Sequence, residues 1–366
     1  MTKIDNIMDR EELSRLVEGH YISRVFSPDA CLVLYNYTAK ATYDRVWTPE
    51  TRACRGLIVD ASTGDVVARP FEKFSNVDEA GFPESALGAL LARPGPVEIT
   101  DKLDGSMIAV WHYAGGWHCS TRGSFASTQA QAAQAWIVAH ANLIYAHPGY
   151  TYISEWCAPD NRVVLKYDKP ELRLIGVRMA PGYDAPYCEV AHWAHVLNLP
   201  VVPVLADCDL EALALRRAMT TGVEGWVARW PDGFRVKIKT EDYLRLHRLI
   251  SGFSAARVRE AMLSADTARY IGELPEEIRS EAERIAAVLD KRVQERVAIL
   301  IASHARLSPL LSDSRKAFAL AVQSEPQEDR SFLFSLADGR PIADKLLKDI
   351  DLVALFGEEA SPVEEL

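Results

Sequence analysis

Apolar and polar residues alternate in short runs over the first two thirds of the chain, as in β-strands that bury one face. Seven segments rich in β-branched and aromatic residues carry this pattern, and turn residues separate them. The segments are ACLVLYNYT (30–38), CRGLIVDASTGDVVARPF (54–71), SMIAVWHY (106–113), GWHCSTRGS (116–124), YTYISEWCA (150–158), RLIGVRMA (173–180) and VEGWVARWPDGFRVKIK (223–239). Thr63-Gly64-Asp65 and Pro231-Asp232-Gly233 predict hairpin turns, so we expect mainly antiparallel sheets.

The pattern changes at about residue 249, where the apolar positions become spaced by three and four, as on one face of an α-helix. The positions that show this spacing best are Ile278, Ala282, Ile285, Leu289, Val293, Val297 and Leu300. Further helices are predicted near 313–323, 328–337 and 341–356, and the earlier stretch 127–147 is also helical in character. The chain therefore predicts an α+β fold: a mainly antiparallel-sheet domain at 1–248, followed by an all-helical domain at 249–366.

Composition narrows the class of protein. The 366 residues are 48% hydrophobic, enough to fill a sizeable core, and the six cysteines form no Cys-x-x-Cys pair. The first twenty residues lack the apolar core of a signal peptide, and no run of 18 apolar residues occurs, so we expect a cytoplasmic protein without a membrane segment. A net charge of −10 argues against non-specific binding of nucleic acid but leaves room for a local basic groove.

Four charged residues lie inside predicted strands. Glu155 stands among Tyr152, Ile153 and Trp156, Glu224 precedes GWV, and the alternate residues Lys237 and Lys239 share one strand face. Buried charges are costly unless they are partnered. They either neutralise one another as structural ion pairs or converge on a polyanionic, metal-bearing ligand.

A fifth candidate is Lys102, in the string Lys102-Leu103-Asp104-Gly105-Ser106. Asp-Gly between apolar residues is a strong signal for a hairpin turn, which would make Lys102 a solvated neighbour of that turn. Alternatively, Lys102 is a nucleophile. The string does not decide between these interpretations.

The wider set of motifs resembles the covalent nucleotidyltransferase superfamily, whose signature is Lys-x-Asp-Gly followed by acidic and Lys-x-Lys motifs. Within it, the chain is most similar to the type-1, T-even phage-like family of ATP-dependent single-strand RNA ligases. Seven strings carry the resemblance besides the lysine motif. They are LYNYT (34–38), ACRGLIVD (53–60), RPFEKFSNVDE (69–79), TRGS (121–124), YISEWCAPDNRVVLKY (152–167), EGWVA (224–228) and VKIKTEDYLRLH (236–247).

The resemblance implies a fold and a three-step reaction. Lys102 would form a covalent lysyl-AMP with ATP and pass the AMP to the 5′-phosphate of RNA, and a 3′-hydroxyl would then displace AMP. A lysine amine attacks phosphorus only when neutral, and the neighbouring cations Lys237 and Lys239 would favour that form. The implied metal is magnesium, with manganese as an alternative.

The resemblance also implies roles for individual residues. Glu155 would contact the ribose, Glu224 a catalytic metal, and Lys237 and Lys239 the α-phosphate. Gly105 would let the backbone approach the nucleotide closely. The role of Asp104 stays open between a turn-forming side chain and a partner of a catalytic group.

Upstream, Arg55 and Lys73 match positions that contact the triphosphate tail, and Tyr35 matches an aromatic hydroxyl near the same phosphates. Two positions depart from the family. Arg122 stands where lysine is common, although arginine also reaches phosphate, and Ser75 replaces an aromatic residue. Tyr243 matches a family tyrosine, but the residues before it differ, which leaves its role open.

The expected partners are ATP and single-stranded RNA ends, such as those of cleaved tRNA, in a repair reaction. A DNA ligase or a GTP-using capping enzyme is the alternative within the superfamily, and a catalytically silent RNA-binding protein is the alternative outside catalysis. The helical domain either recognises structured RNA or serves folding and oligomerisation. The sequence does not indicate the oligomeric state.

Overall fold

A computed structural model describes residues 2–161, 164–206, 209–274 and 276–357. The chain divides into two units, Met1–Leu244 and Arg245–Leu366. The α+β class is confirmed, with antiparallel sheets in the first unit and helices in the second. Among the described helices, none is both long and apolar enough to cross a lipid bilayer.

The strands of the first unit form three sheets, in which every pairing between strands is antiparallel. The four-stranded sheet contains β1 (Ile22–Phe26), β2 (Leu32–Tyr37), β3 (Arg55–Asp60) and β4 (Val66–Ala68). The other strands are β5 (Glu98–Lys102), β6 (Ser106–Tyr113), β7 (Gly116–Ser120), β8 (Thr151–Cys157), β9 (Glu171–Met179), β10 (Tyr183–Asp184), β11 (Gly225–Arg229) and β12 (Arg235–Lys239). They make a five-stranded sheet in the order β10-β9-β8-β6-β7 and a three-stranded sheet in the order β12-β11-β5.

Seven helices of this unit cover the sheets and connect them: α1 (Arg10–Glu18), α2 (Ala39–Tyr43), α3 (Pro49–Ala53), α4 (Leu87–Leu91), α5 (Thr128–His140), α6 (Tyr187–Val196) and α7 (Leu210–Arg216). Helix α5 begins where the Ser127 side chain accepts a hydrogen bond from the Ala130 N–H, and it buries Ala133 and Ile137 against the five-stranded sheet. It ends at His140 because Ala141 is extended, so the helix predicted to reach residue 147 is too long.

The connection 102–106 is not a hairpin, which corrects one of the two sequence interpretations. Strand β5 pairs with β11, whereas β6 pairs with β7 and β8, so the chain passes from one sheet to another at Asp104-Gly105. Register then fixes the surroundings of this crossing. Lys102 lies opposite Gly225, Gly225 lies opposite Lys239 on the other side, and Met107 lies opposite Glu155.

The second unit is helical throughout its described part. Its helices are α8 (Glu241–Ser251), which begins just before the boundary, and α9 (Ala255–Leu263), α10 (Thr267–Glu273), α11 (Glu276–Leu307), α12 (Leu310–Asp313), α13 (Arg315–Val322), α14 (Gln327–Ala337), α15 (Ala343–Asp349) and α16 (Leu352–Phe356). The predicted apolar spacing on α11 is confirmed, since Ile285, Leu289 and Leu300 are fully buried in one core. The helix predicted at 341–356 is two helices, because Ile350 is extended and Asp351 caps α16.

Candidate active site

Lys102 is the last residue of β5 and lies in an ion pair with Glu224. Its Nζ is 2.7 Å from Glu224 Oε1, and the Glu224 side chain is only 3% exposed. The Nζ of Lys239 lies 3.3 Å from the same oxygen. Two lysines therefore share one buried carboxylate. The sequence does not predict this contact for Lys102.

Glycine makes this meeting of strands possible at the start of β11. Gly225 has φ +144°, and a Cβ on it would lie 2.0 Å from the carbonyl oxygen of Ile238. Any side chain would push β12 away from β11 and separate Lys239 from Glu224. The glycine after Glu224 is thus needed for the geometry of the ion pairs.

The crossing between sheets is held by Asp104, whose side chain is 2% exposed. Its Oδ2 accepts hydrogen bonds from the backbone N–H groups of Val164 and Leu165 at 2.7 and 2.6 Å. Its Oδ1 accepts one from the hydroxyl of Tyr243 at 2.8 Å, and its own N–H donates to the Tyr167 hydroxyl at 3.0 Å. Asp104 therefore ties the chain beside Lys102 to two distant segments, residues 164–167 and the first turn of the helix that carries Tyr243.

Gly105 lies where two backbones approach closely. A Cβ on Gly105 would be 2.3 Å from the carbonyl oxygen of Trp156 and 3.2 Å from Cγ of Glu155. The lack of a side chain is required by the packing of the crossing against β8. This packing presses the crossing directly against the strand that carries Glu155.

Glu155 stands on β8 between hydrophobic neighbours, as the sequence indicated. Burial raises the pKa of its carboxyl to about 7, and the negative charge of Glu224 adds to this effect. The positive charges of Lys102 and Arg55 act in the opposite direction but do not cancel it. The carboxyl therefore takes up a proton near neutral pH.

Lys237 is the cation with the least compensation in the site. Burial holds the pKa of its ammonium well below the ordinary value, and the positive charges of Arg55, Lys102, Lys73 and Lys239 lower it further. Its Nζ lies 4.7 Å from the ring centre of Phe74. Within the residues that the structure describes, no carboxylate lies within ion-pair distance of this ammonium. A negatively charged ligand would remove this imbalance.

Arg55 and Lys73 approach the same region from the segments before Lys102. The Arg55 guanidinium donates to the sulfur of Met107 at 3.0 Å, and its central carbon lies 5.8 Å from the ring centre of Phe74. The Lys73 Nζ pairs with Glu79 at 3.0 Å and lies 5.1 Å from the ring centre of Trp47. Arg55 is thus free of carboxylate partners among the described side chains, whereas Lys73 is paired.

The structure does not bring Tyr35 to this region. Its side chain packs against the core formed with α1, and burial raises the pKa of its hydroxyl. A bulge in the pairing with β3 falls between Tyr35 and Asn36, so the following residues do not continue the same alternation of faces. Tyr37 instead meets Arg122, whose guanidinium donates to the Tyr37 hydroxyl at 2.9 Å.

Three tyrosines therefore contribute to the site region without having been assigned there from the sequence. Tyr37 holds Arg122, Tyr167 accepts the Asp104 N–H, and Tyr243 donates to the Asp104 carboxylate. Burial raises the pKa of Tyr243, and the nearby carboxylates of Glu224 and Asp104 raise it further. The sequence resemblance leaves the role of Tyr243 open. For Tyr167, the sequence offers one indication, its position at the end of the YISEWCAPDNRVVLKY string.

Glu224 offers carboxylate oxygens to a metal ion. Carboxylate oxygens suit Mg²⁺ and Mn²⁺, and Mg²⁺ characteristically takes one or two protein carboxylates together with phosphate oxygens. No cluster of three His, Cys, Asp or Glu side chains with metal-binding geometry occurs in the described parts of the chain. Glu224 fits such an ion only as a partner of a phosphate-bearing ligand.

The site therefore combines five cations with three carboxylates. The cations are Arg55, Lys73, Lys102, Lys237 and Lys239, and the carboxylates are Glu155, Glu224 and Glu79, the last of which pairs with Lys73. Such an excess of partly buried positive charge suits a polyphosphate. An amine at its centre and a carboxyl that takes up protons near neutral pH can support nucleophilic transfer of a phosphoryl-linked group.

Comparison with known proteins gives a family and several relatives. A family model described as RNA ligase matches residues 53–243. An RNA ligase of Rhodothermus phage RM378 is 23% identical over 84% of this chain and 85% of that protein. A putative RNA ligase of Thermovibrio ammonificans is 30% identical over 46% of this chain, and the match spans 44% of that protein. Among solved structures, an archaeal ATP-dependent RNA ligase, form 2, is 15% identical over 76% of each chain, with a TM-score of 0.49.

Proposed function

The chain belongs to the RNA ligase family, and from this premise we propose that it is an ATP-dependent enzyme that joins the 5′-phosphate and 3′-hydroxyl ends of single-stranded RNA. One observation carries the proposal. Lys102 lies among four further cations, and the partly buried Lys237 has no carboxylate partner in the described structure. A triphosphate would supply the missing negative charge and place its phosphorus atoms near the Lys102 amine.

In the first step, Lys102 would attack the α-phosphorus of ATP in its neutral form. A bond forms between Nζ and phosphorus, the bond from phosphorus to the pyrophosphate oxygen breaks, and pyrophosphate leaves with the electron pair. The ammonium proton must first leave Lys102. Glu224, at 2.7 Å from Nζ, is placed to orient the amine and to receive that proton.

The remaining roles follow from position. Lys237 and Lys239 would stabilise the charge that develops on the α-phosphate, and Arg55 and Lys73 would orient the pyrophosphate. Glu155 would contact the ribose, because its carboxyl lies beside Lys102 on the neighbouring sheet and is able to donate or accept a hydrogen bond near neutral pH. Gly105 and Arg122 would lie along the nucleotide and its phosphates.

In the second step, the 5′-phosphate oxygen of RNA attacks the phosphorus of lysyl-AMP and releases the Lys102 amine. In the third, the 3′-hydroxyl attacks the RNA 5′-phosphorus, a phosphodiester forms, and AMP leaves with the electron pair. Lys237 and Lys239 remain beside the transferred phosphate throughout. These two lysines would therefore serve all three transfers.

A divalent ion, Mg²⁺ or Mn²⁺, fits the Glu224 carboxylate together with phosphate oxygens. When bound, it would offset negative charge on the α-phosphate and orient the leaving group. Glu224 would then bind the metal ion in addition to orienting Lys102. This ion is part of the proposal, because the described residues supply too few ligands to bind it without a nucleotide.

For the biological setting, we propose repair of broken RNA such as cleaved tRNA, in the cytoplasm. The described cysteines are all free thiols, which supports a reducing compartment. The helical unit would contribute to recognition of structured RNA. Its acidic balance favours recognition by shape over broad phosphate binding.

The proposal is tested with a 5′-phosphorylated, 3′-hydroxyl single-stranded RNA, ATP and magnesium. The expected result is circular or joined RNA, preceded by an adenylylated RNA intermediate on a denaturing gel. A nicked duplex DNA and a GTP-only reaction serve as controls. Sealing of the nicked DNA alone would assign the chain to DNA ligation, and use of GTP with no use of ATP would assign it to capping chemistry.

A further inference from the structure

A cavity lies in the first unit along residues 71–75. It is close to the lysine cluster, by which we mean Lys102, Lys237 and Lys239. Its volume is about 340 Å³, which is within the range of roughly 300 to 1,000 Å³ typical of small-ligand sites. Its lining includes Lys73 and Phe74 but neither Lys102 nor Lys237. The ring of Phe74 nevertheless lies 4.7 Å from the Lys237 ammonium, so one side chain borders both the cavity and the lysine cluster.

Arginine side chains that lie over phenylalanine rings contribute to the walls of this cavity. The guanidinium carbon of Arg52 lies 4.7 Å from the ring centre of Phe82, and that of Arg93 lies 4.1 Å from the ring centre of Phe234. Guanidinium planes and aromatic rings are the surfaces on which proteins stack unpaired nucleobases. The cavity therefore has the wall chemistry of a nucleobase site.

The charges of the cavity are balanced, unlike those around Lys102. Arg52 pairs with Glu84 at 3.0 Å, Arg93 pairs with Asp232, and Arg235 pairs with Asp184 at 2.6 Å. Apart from Lys73, whose ammonium pairs with Glu79 outside the lining, four arginines face four carboxylates, and 4 − 4 leaves no net charge. Such a surface has little attraction for a triphosphate and suits a ligand that carries few charges.

Hydrogen-bonding capacity remains in the walls despite these pairs. The Nε–H of Arg52 is buried and has no hydrogen-bond partner within the described structure. A carboxylate that accepts from one arginine also has lone pairs left for a second donor. The polar groups of a base and the hydroxyls of a ribose are ligands of the required kind.

We propose that this cavity binds the terminal nucleoside of the RNA strand that supplies the 3′-hydroxyl. The inference rests on the proposed ligase function. It gives the RNA end that carries the 3′-hydroxyl a binding site of its own. That end is the partner with few charges, since its last nucleoside carries free hydroxyls and one phosphodiester. The donor end, which bears phosphate and AMP, belongs with the unbalanced cations around Lys102. Phe74, which borders both regions, places the two ends side by side.

The test isolates the last chemical step in the full-length protein. A pre-adenylylated RNA donor is joined to the trinucleotide ApApA, and kcat and KM are measured for the trinucleotide. Arg93→Ala is the variant, because the Arg93 side chain is 27% exposed and its partner Asp232 is 55% exposed, so the fold is retained. The expected result is a rise of about tenfold in KM for ApApA with kcat nearly unchanged. Formation of lysyl-AMP from ATP should equal that of the unaltered protein.

Arg24→Ala is the matched control. Arg24 also lies over a phenylalanine ring, at 6.0 Å from the centre of the Phe26 ring, but it belongs to the edge strand β1 and does not line the cavity. Its removal should leave KM for ApApA unchanged. An unchanged KM in Arg93→Ala, or a loss of lysyl-AMP formation in parallel with sealing, would overturn the assignment of the cavity. Absence of joining by the unaltered protein would instead overturn the ligase function itself.

Discussion

Two neighbouring regions of the first unit, the lysine cluster around Lys102 and the arginine-lined cavity, treat buried charge in opposite ways. In the cavity, Asp184 is contacted by Arg178, Arg229 and Arg235, at 3.4, 3.3 and 2.6 Å. In the lysine cluster, Glu224 serves two lysines, and Lys237 has no carboxylate partner among the described residues. The cavity satisfies its own charges, whereas the cluster carries an excess of positive charge.

This difference separates charge that serves the fold from charge that serves a ligand. A buried ion pair with good geometry roughly balances its desolvation cost, and breaking it leaves an uncompensated charge. A buried cation with no partner costs stability in the free protein and is compensated only when an anion binds. We therefore expect charge-removing substitutions to have opposite effects on stability in the two regions.

The largest effect is expected for Lys237→Met in the lysine cluster. Formation of lysyl-AMP should fall by about 100- to 1,000-fold, because one cation facing the developing charge is lost. The free energy of unfolding should rise, by about 1 kcal/mol, because a buried ammonium with a depressed pKa is removed. Adenylylation rates and urea unfolding measure the two quantities. A loss of stability would contradict the view that the positive charge of Lys237 is uncompensated in the free protein.

Asp184→Asn is the counterpart in the cavity. Three buried arginines would lose their shared negative charge, so the free energy of unfolding should fall by about 3 kcal/mol. The neighbouring arginines hold the pKa of the Asp184 carboxyl below its ordinary value, although burial acts in the opposite direction. Urea unfolding at pH 7 checks the loss. A protein as stable as the unaltered one would show that these ion pairs do not support the fold.

A smaller effect is expected for Asp104→Asn, at the crossing between the two sheets. One amide oxygen cannot replace both carboxylate oxygens, so either the Val164 and Leu165 N–H groups or the Tyr243 hydroxyl lose their acceptor. The expected loss is about 2 kcal/mol in the free energy of unfolding. Tyr167→Phe, which removes the acceptor of the Asp104 N–H and a hydrogen bond with Cys157, is the milder control. Equal losses in the two variants would mean that Asp104 does not organise the crossing.

The smallest effect concerns Glu155 and depends on pH. Its pKa is raised to about 7 from an ordinary 4.5, so the folded state holds a proton that the unfolded state releases between these pH values. The unaltered protein therefore loses stability as the pH rises from about 4.5 to 7. Glu155→Gln lacks this loss, so its stability relative to the unaltered protein should grow steadily as the pH rises from about 4.5 to 7 and stay constant above that. Thermal unfolding across this range measures it, and a pH-independent difference would exclude the raised pKa.

Much of the fold could be predicted because burial of one strand face leaves a period of two in the sequence. The segments that became β2, β3, β6, β8, β11 and β12 were all visible in this way. Charged residues that interrupt this alternation are easy to recognise in the sequence. Glu155 and Glu224 could be predicted as site residues for this reason. The partition into sheets was not predictable, because β5 pairs with β11 across more than a hundred residues.

Local irregularities explain the rest of the difference. The bulge after Tyr35 changes which side chains face the site, and no residue type in LYNYT predicts a bulge there. The Asp104-Gly105 dipeptide is typical of a hairpin, yet Asp104 uses its hydrogen bonds to join separate segments. The cavity could not be predicted from the sequence either, because Arg52, Arg93 and Phe234 come together only through tertiary packing.

The central claim is that Lys102 becomes covalently linked to AMP. The protein is incubated with α-labelled ATP and magnesium, denatured and digested, and the labelled peptide is identified by mass spectrometry. The expected result is one adenylylated residue, Lys102, and no label on a Lys102→Ala variant that unfolds at the same urea concentration as the unaltered protein or above it. Label on another lysine, or label that persists in Lys102→Ala, would contradict it.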